Sequence, residues 1–287
     1  MKPLRSCPVC GGADLRPFAM DAWRPGRLHL AQARCAGCGL VAAQPQATAE
    51  ELGAYYANEY YEHHPLDAET HWQENVRDYP LYELPLMERL WEGFAPPAGG
   101  SVAEIGCGHG SLLTVMGARG YRVRGVELSP SAVAFCRSKG LDVIEGQDFG
   151  EETAACDLAA SFQVIEHVLD PRAFVRKMVA LTKPGGAVVI TTENVWTSQY
   201  AFARAQALLR GRPAPYRTSS EHTFVFEGKH LERLLKEEGC DVARSAAYRR
   251  APATGALHFR AYREAFRAID RVVGLGEYLM GVGRRRG

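Results

Sequence analysis

The stretch that most constrains the fold is VAEIGCGHGSLL, residues 102–113. Small and apolar residues lead into an acid, Glu104, after which Gly106, Gly108 and Gly110 alternate with small or polar residues. Glycines at this spacing turn the chain sharply out of a strand and bring backbone N–H groups close to a ligand. The dinucleotide-binding fingerprint depends on the same physics but has the glycine order G-x-G-x-x-G. The order E-x-G-x-G-x-G therefore indicates a ligand-binding loop between a strand and a helix, and the glycines alone do not identify the ligand.

Apolar runs and helical stretches alternate after this loop at the pace of a doubly wound sheet. The predicted strands are residues 102–105, 122–127, 142–145, 157–162, 187–192, 241–248 and, running antiparallel, 276–282. The predicted fold class is therefore α/β, with a doubly wound, Rossmann-like seven-stranded sheet in a domain of residues 101–287.

Polar side chains follow three of these predicted strands. Glu127 ends the second strand, Asp148 and Phe149 come shortly after the third, and Gln163 follows the fourth. The carboxyl ends of parallel strands meet at one edge of a sheet, where ligands bind. An acid after the second strand can accept hydrogen bonds from both ribose hydroxyls of a nucleoside, and an acceptor beside Phe149 could meet an adenine amino group. The sequence thus predicts a nucleoside site at this edge.

The blocks EIGCGHG, VELS, GQDF, FQVIEHV and KPGG, in this order, resemble the class I S-adenosylmethionine-dependent methyltransferases across nearly all of residues 101–240. A dehydrogenase also has an acid after its second strand, but it leaves KPGG and the altered glycine order unexplained. The resemblance implies S-adenosylmethionine as the cofactor. It assigns the methionine part and the ribose to Glu104, Gly106, Gly108 and Gly110, the ribose hydroxyls to Glu127 with Leu128 beside it, the adenine to Asp148 and Phe149, and the sulfonium end to Gln163.

Three histidines are candidates for proton transfer. A hydroxyl acceptor needs a base with a pKa near neutrality, which favours histidine. His222 in SSEHTFVF is the preferred base, with Glu221 orienting it, because this segment resembles the E-H-x-x-x-F stretch of ubiquinone-type and sugar methyltransferases. His167 in QVIEHV is the second candidate. A structural turn at His222 and a helix cap at His167 are the alternative interpretations, and His109 is expected to face solvent or the glycine loop.

A nucleotide-sugar C-methyltransferase is the alternative activity within this class. The deoxysugar C-methyltransferases, which also carry an N-terminal zinc module, have a tyrosine two residues before the glutamate of this stretch. Ser219 takes that position here. They also carry a further C-terminal domain, which we do not expect in this protein. Both departures favour methyl transfer to oxygen.

Two C-x-x-C pairs lie near the N-terminus, Cys7 with Cys10 and Cys35 with Cys38. Four thiolates suit tetrahedral zinc, and a closed four-cysteine site leaves no coordination position for chemistry. The sequence therefore predicts a structural zinc ribbon over residues 1–43. We expect this ribbon to pack on the catalytic domain and shape one side of its cleft, although zinc ribbons also bind nucleic acid or protein.

The remaining segments are predicted to surround the cleft. Residues 44–100 read as a helical connector, in which Tyr56 and Tyr60 lie one turn apart and form either a lid over the cofactor or an aromatic stripe on the core. A helix over residues 72–94 is expected to be interrupted near Pro80 and Pro85. The insertion of residues 193–220 is expected to cover the acceptor. Its arginines, Arg210, Arg212 and Arg217, could bind a phosphate or carboxylate or simply be solvated.

Charge and apolar patterning limit the classes of partner. The formal net charge is +1, so no strong electrostatic case exists for nucleic acid. The N-terminal sequence has no apolar run typical of a signal peptide, no stretch approaches a membrane span, and a cytoplasmic location is expected. A basic amphipathic helix over 259–273 is expected to close the substrate site or form a homodimer contact.

The predicted function is O-methylation of a small molecule or sugar. The alternative from another class is an RNA- or protein-binding zinc-ribbon module with a methyltransferase-like domain.

Overall fold

The computed structural model describes residues 1–18, 31–58, 67–194, 197–211, 222–250, 269–270 and 275–287. Within these ranges the strands are β1 (Leu15–Phe18), β2 (Gln32–Cys35), β3 (Val41–Ala43), β4 (Ser101–Ile105), β5 (Arg122–Glu127), β6 (Val143–Glu145), β7 (Cys156–Phe162), β8 (Thr182–Glu193), β9 (Phe224–Val225), β10 (Cys240–Tyr248) and β11 (Tyr278–Arg285). The helices are α1 (Ala49–Asn58), α2 (Ala68–Asp78), α3 (Glu83–Leu90), α4 (Ser111–Ala118), α5 (Pro130–Ser138), α6 (Pro171–Leu181), α7 (Ser198–Leu209) and α8 (Gly228–Glu237).

The larger sheet has seven strands in the order β10-β11-β8-β7-β4-β5-β6. Strands β4 to β8 are mutually parallel, whereas β11 runs antiparallel between β8 and β10. This arrangement confirms the predicted α/β fold, including the antiparallel last strand. It also places the carboxyl ends of β4, β5, β7 and β8 at one edge, where the switch in strand order opens a crevice.

The KPGG block, residues 183–186, lies upstream of the predicted fifth strand of residues 187–192, whereas the observed strand already begins at Thr182. The block lies inside β8, where the register with β7 shifts between Cys156, opposite Thr182, and Leu158, opposite Ala187. The four residues 183–186 therefore bulge out of the ladder, and Gly185 takes a positive φ of 78°. Lys183 on the bulge forms an ion pair with Asp157 at 3.0 Å. Glycine lets the strand continue through a bulge instead of ending there.

The core lies on both faces of this sheet because alternate residues of each strand point in opposite directions. On one face, Val188 and Ile190 pack with residues of α6 and α8. On the other, Ala187 and Val189 pack with residues of α3 and α4. The buried strands read as continuous apolar runs for this reason.

The helix expected over 72–94 is two helices, α2 and α3. Asp67 caps α2 by accepting a hydrogen bond from the Thr70 N–H, which moves its start upstream of the predicted position. Pro80 lies between the two helices, and Pro85 lies in the first turn of α3, where its missing N–H costs no intrahelical bond.

A smaller antiparallel sheet has the strand order β1-β2-β3-β9. The first cysteine pair precedes β1, and the second pair lies at the end of β2 and in the turn to β3. Strand β9, in contrast, comes from residues 224–225 of the predicted methyltransferase domain. Cys7, Val9 and Leu40 also belong to the core that contains α6 and α8. The ribbon is therefore packed on the larger domain. The division at residues 43 and 100 stays a prediction.

The helices of the described residues include none that is both long and apolar enough to span a bilayer.

Candidate active site at the carboxyl edge of the sheet

The glycine loop leaves β4 with three left-handed glycines. The φ angles of Gly106, Gly108 and Gly110 are 71°, 52° and 73°. A Cβ on Gly106 would lie 2.5 Å from Val164 Cγ2, and one on Gly110 would lie 2.4 Å from Leu141 Cδ1. A Cβ on Gly108 would meet no described atom within 4 Å. Gly106 and Gly110 are thus required by packing, while Gly108 borders open space that a ligand can approach.

Glu127 holds its carboxylate across the mouth of this loop. Its Oε2 accepts a hydrogen bond from the Gly108 N–H at 2.9 Å, and its Oε1 accepts one from the Ser129 N–H at 2.9 Å. Ser129 is the N-cap of α5, so the carboxylate is fixed from both sides. An ionised carboxyl group offers about four acceptor positions. Two positions remain for other donors, and the predicted contact with the hydroxyl pair of a ribose stays a prediction.

Glu104 is a buried acid at the end of β4. It is 2% exposed, and its Oε2 has no hydrogen-bond partner among the described residues. Burial, followed by repulsion from Cys136 and Glu127, raises its pKa well above the ordinary value. An acceptor buried without a partner is costly. A cationic ammonium group in the crevice would remove this cost, so the donor and acceptor set here fits an amino-acid nucleoside such as S-adenosylmethionine.

Asp148 and Phe149, the predicted adenine contacts, are engaged with protein groups. Asp148 forms an ion pair with Lys177 and accepts a hydrogen bond from the Gly150 N–H at 2.7 Å. The Phe149 ring is buried, with the Arg124 guanidinium 5.1 Å from its centroid. An adenine ring would have to share Asp148 with Lys177, and the assignment of these two residues stays a prediction.

Gln163 and Leu128 lie at the carboxyl ends of β7 and β5. Gln163 has a positive φ of 58°, uncommon for a residue with a side chain, and its Nε2 donates to Thr191 Oγ1 at 3.1 Å. Backbone strain of this kind concentrates at functional sites. Leu128 is exposed. Both positions are compatible with their predicted cofactor contacts, which stay predictions.

The tyrosine lid cannot be placed. Tyr60 lies outside the described residues, and Tyr56 belongs to α1 but its side chain is likewise outside them. Its neighbour Tyr55 is buried, which agrees with a packed aromatic stripe at that position.

His109 was expected to face solvent or the glycine loop. In the structure it is buried beneath α2. Its Nδ1 lies 3.1 Å from His71 Nδ1, and its ring meets Phe135 edge-on at 5.3 Å. Burial and then the neighbouring His71 lower its pKa to about 4. The alternative in which His109 faces solvent was wrong because it treated the loop without the helix that covers it. Helix α2 covers the loop and leaves His109 a neutral packing residue.

His222 and His167 meet on the far side of the crevice. Their ring centroids are 4.9 Å apart with the planes nearly perpendicular. His222 is 6% exposed, and its Nδ1 lies 3.8 Å from Oε2 of Glu193 at the end of β8. Ligand atoms of Glu166, His167 and His222 all lie within 4.8 Å of one another. The structure therefore brings both predicted catalytic histidines together; Glu221 lies outside the described residues.

Two acids of this cluster, Glu166 and Glu193, were missing from the sequence prediction. Glu166 is buried, and burial raises its pKa to about 8. Its Oε1 accepts a hydrogen bond from the Glu193 N–H at 3.4 Å. Each acid has a sequence signal, since Glu166 directly precedes His167 and Glu193 ends β8, two threonines after its apolar residues. Their convergence depends on strands β7 and β8 being neighbours.

A buried ion pair lies between the start of α7 and the adjoining ends of β10 and β11. Arg249 contacts Asp270 through Nε at 2.6 Å and Glu277 through a terminal nitrogen at 2.5 Å. The other Asp270 oxygen accepts from the Ser198 N–H, which begins α7. The start of the insertion helix is thereby anchored to β10 and β11.

The four N-terminal cysteines converge with geometry suited to a metal. All four sulfur atoms lie within 4.8 Å of one another, with Cys7 and Cys38 at 3.5 Å and Cys10 and Cys35 at 3.4 Å. Tetrahedral zinc, with Zn–S bonds of about 2.3 Å, places its sulfur ligands about 3.8 Å apart. All are free thiols. The donor set fits zinc.

A glycine loop after the first strand of a seven-stranded sheet, an acid after the second strand and an antiparallel final strand together define the class I methyltransferase architecture. Residues 72–245 match the family described as "Methyltransferase domain", and the protein belongs to this family. It is an S-adenosylmethionine-dependent methyltransferase.

Relatives of similar sequence carry the name ubiquinone biosynthesis O-methyltransferase. The one from Paraburkholderia phytofirmans is 32% identical over 164 residues, covering 54% of this chain and 71% of the relative. The one from Thiobacillus denitrificans is 29% identical over 182 residues, covering 59% and 77%. A methyltransferase from Archaeoglobus fulgidus shares the fold with a TM-score of 0.53 at 14% identity, covering 79% of this chain and all of that one.

Proposed function

We propose that this methyltransferase transfers a methyl group to a hydroxyl group of a small molecule, with His222 as the general base. The observation that carries this proposal is the position of His222. It is a buried imidazole at the carboxyl edge of the sheet, beside the carboxylate of Glu193 and the ring of His167. The names of the relatives, which specify O-methylation in those proteins, support the same reaction type.

The two sides of the crevice have different proposed roles: the glycine loop and Glu127 form the cofactor side, and His167 and His222 lie on the acceptor side. S-adenosylmethionine supplies an electrophilic methyl group on a sulfonium centre when it is bound. Glu127 would bind its ribose and Glu104 its ammonium group. Positioning the acceptor oxygen in line with the methyl group accounts for much of the rate enhancement in such a displacement.

His222 would take the hydroxyl proton as the new oxygen–carbon bond forms. The Glu193 carboxylate at 3.8 Å favours the resulting imidazolium by charge attraction. Glu166, whose pKa is raised to about 8 by burial, stays largely protonated near neutrality and adds little charge. The compact Glu166, His167 and His222 set also suits a divalent cation. Adding magnesium to an assay of the zinc-loaded protein separates cation-assisted transfer from proton transfer by His222 alone.

The test uses S-adenosylmethionine labelled in its methyl group. The purified protein is incubated with catechol or with a nucleotide sugar, and the bond that carries the label is identified by mass spectrometry. We expect the label on oxygen. Label on a sugar carbon would support C-methylation instead, and retention of labelled cofactor without transfer to any hydroxyl acceptor would contradict the proposal. A phosphate- or carboxylate-bearing acceptor, held by Arg210, Arg212 or Arg217, stays a prediction because Arg212 and Arg217 lie outside the described residues.

We also propose that Cys7, Cys10, Cys35 and Cys38 hold one structural zinc ion. Metal analysis of the purified protein should give one zinc per chain, and Cys35→Ser should lose it because three thiolates and a hydroxyl bind zinc weakly. The matched control is Cys156→Ser, a buried free thiol of the sheet. Unchanged zinc in Cys35→Ser, or equal loss in both variants, would contradict the site.

A further inference from the structure

The segment that carries His222 is built into the cysteine ribbon. Phe224 and Val225 form β9, which pairs with Ala42 and Val41 of β3. The Ala43 N–H also donates to the Thr223 carbonyl at 2.8 Å. The residue next to the candidate base is thus hydrogen-bonded to the ribbon.

The same segment is also hydrogen-bonded to the loop after β7, at Glu166 and His167. The Thr223 and Phe224 N–H groups both donate to the Glu166 carbonyl, at 2.7 and 3.1 Å. The Thr223 hydroxyl donates to the His167 carbonyl at 3.3 Å. The segment therefore lies between the ribbon on one side and the Glu166–His167 loop on the other, and a shift of either neighbour would move His222.

We call the turn of Cys7 to Cys10 the first cysteine knuckle and the turn of Cys35 to Cys38 the second. The second cysteine knuckle has an additional link to this segment. Cys38 is separated from β3 by only two residues, and its carbonyl lies 3.0 Å from Nε2 of His230. The Nδ1 of His230 accepts a hydrogen bond from the Glu227 N–H at 2.9 Å. Because Nδ1 is an acceptor here, Nε2 carries the proton and donates to Cys38. His230, fully buried, ties the chain beyond β9 to the metal-binding knuckle.

The first knuckle is attached elsewhere. Arg172 on α6 donates to the Pro8 and Val9 carbonyls at 3.2 and 2.8 Å, and pairs with Glu237 and Glu238 at the C-terminal end of α8. None of these contacts involves residues 222–225. The two knuckles therefore dock on the same domain through different polar contacts, and among the described hydrogen bonds of the ribbon those that reach the segment of residues 223–230 come from Cys38 and β3.

We propose that the metal-loaded ribbon positions the catalytic base: the second knuckle, through β3 and His230, fixes β9 and thereby the segment just before it, which carries His222. This inference rests on the proposed function, because a displaced His222 lowers turnover only if His222 is the general base. Loss of the metal would release the knuckle, β3 and then β9, while the cofactor loop, on the opposite side of the crevice, keeps its own hydrogen bonds. Metal content would then control acceptor methylation and leave cofactor affinity unchanged.

The direct test observes His222 without any acceptor. Ring-labelled histidine gives one NMR signal per imidazole, and the His222→Gln variant identifies the signal of His222. In His230→Leu, with its zinc retained, we expect the His222 signal to shift or broaden while the His71 and His109 signals stay in place. Removing zinc with a chelator should produce the same pattern. An unmoved His222 signal in both samples would overturn the proposal, and His230→Leu decides alone if the metal-free protein aggregates.

Matched variants separate this route from general docking of the ribbon. Arg172→Leu removes the link of the first knuckle and should leave the His222 signal unchanged. His230→Gln, which can still donate to the Cys38 carbonyl, should restore much of the native signal. Equal shifts in Arg172→Leu and His230→Leu would overturn the route through the second knuckle.

Turnover gives an independent reading once an acceptor is known. His230→Leu should lower kcat on the order of 10- to 10²-fold, with KM for S-adenosylmethionine unchanged, because misplacement of a reacting group by about 1 Å has effects of this size. An unchanged kcat alongside a shifted His222 signal would contradict the catalytic consequence. If His222→Ala itself keeps full turnover, the assignment of the base fails, whereas the NMR coupling still tests the ribbon's effect on position.

Discussion

The two sides of the crevice are assembled in different ways. The cofactor side comes from one short stretch, residues 104–110, with Glu127 on the neighbouring strand, and its hydrogen bonds run between backbone and carboxylate. The acceptor side combines the loop after β7, the end of β8, a strand near residue 222 and a ribbon from the N-terminus. A local backbone motif therefore forms the proposed cofactor side, whereas tertiary packing assembles the proposed acceptor side. The acceptor side should depend more strongly on global stability.

The largest expected effect is a loss of stability when the buried ion pair on the acceptor side is broken. Asp270→Ala leaves the buried charge of Arg249 with only part of its compensation, and it removes the acceptor at the start of α7. Breaking such a pair from one side costs about 3–5 kcal/mol. Chemical denaturation should show this loss in the free energy of unfolding. The control is Asp14→Ala, which breaks an exposed pair with Arg16 and should change stability little; equal stability of both variants would count against a packing-dependent acceptor side.

The next effect concerns the cofactor side and should appear in affinity. Glu127→Ala removes a charged acceptor for two hydroxyl groups, and the Kd for S-adenosylmethionine should rise on the order of 10²-fold. Isothermal titration calorimetry measures this change. Glu145, opposite Glu127 on β6, is exposed, so Glu145→Ala should bind like the wild type. A Glu127→Ala variant with wild-type affinity would remove the ribose assignment.

A further expected effect is a change in the pH dependence of stability. Glu166 has an ordinary pKa of 4.5 and a folded pKa of about 8, raised by burial. The folded state therefore holds a proton that the unfolded state loses between these values, so this group lowers stability as the pH rises from about 4.5 to about 8. Glu166→Gln should flatten that part of the curve. Parallel curves for the two proteins, measured by urea unfolding across this range, would show that Glu166 titrates normally despite its contacts with Glu193 and the two histidines.

The sequence predicts the glycine loop and the strands around it well because their signals are local. The glycine order requires left-handed backbone at positions 106, 108 and 110, and the structure has it at each. The alternation of apolar runs correctly predicts the parallel strands and the antiparallel last strand. The spacing of the cysteines predicts the compact cluster that the structure contains.

The errors and omissions involve contacts between distant segments. His109 looks exposed within its loop and becomes buried only because α2, about forty residues upstream, packs over it. Glu193 follows an ordinary strand, and nothing local indicates that residue 222 will lie beside it. The addition of β9 to the ribbon sheet joins residues 41 and 225. No periodicity or spacing encodes such a pairing, since two short apolar strands fit many partners.

The most direct test of the account measures cofactor affinity and turnover on one preparation of His222→Ala, with an acceptor that the wild type methylates on oxygen. Loss of a general base costs about 10²–10⁴-fold in rate. The account predicts a fall in kcat of that order with the Kd for S-adenosylmethionine unchanged, because the cofactor side holds its own contacts. Full turnover by a folded His222→Ala variant would contradict it.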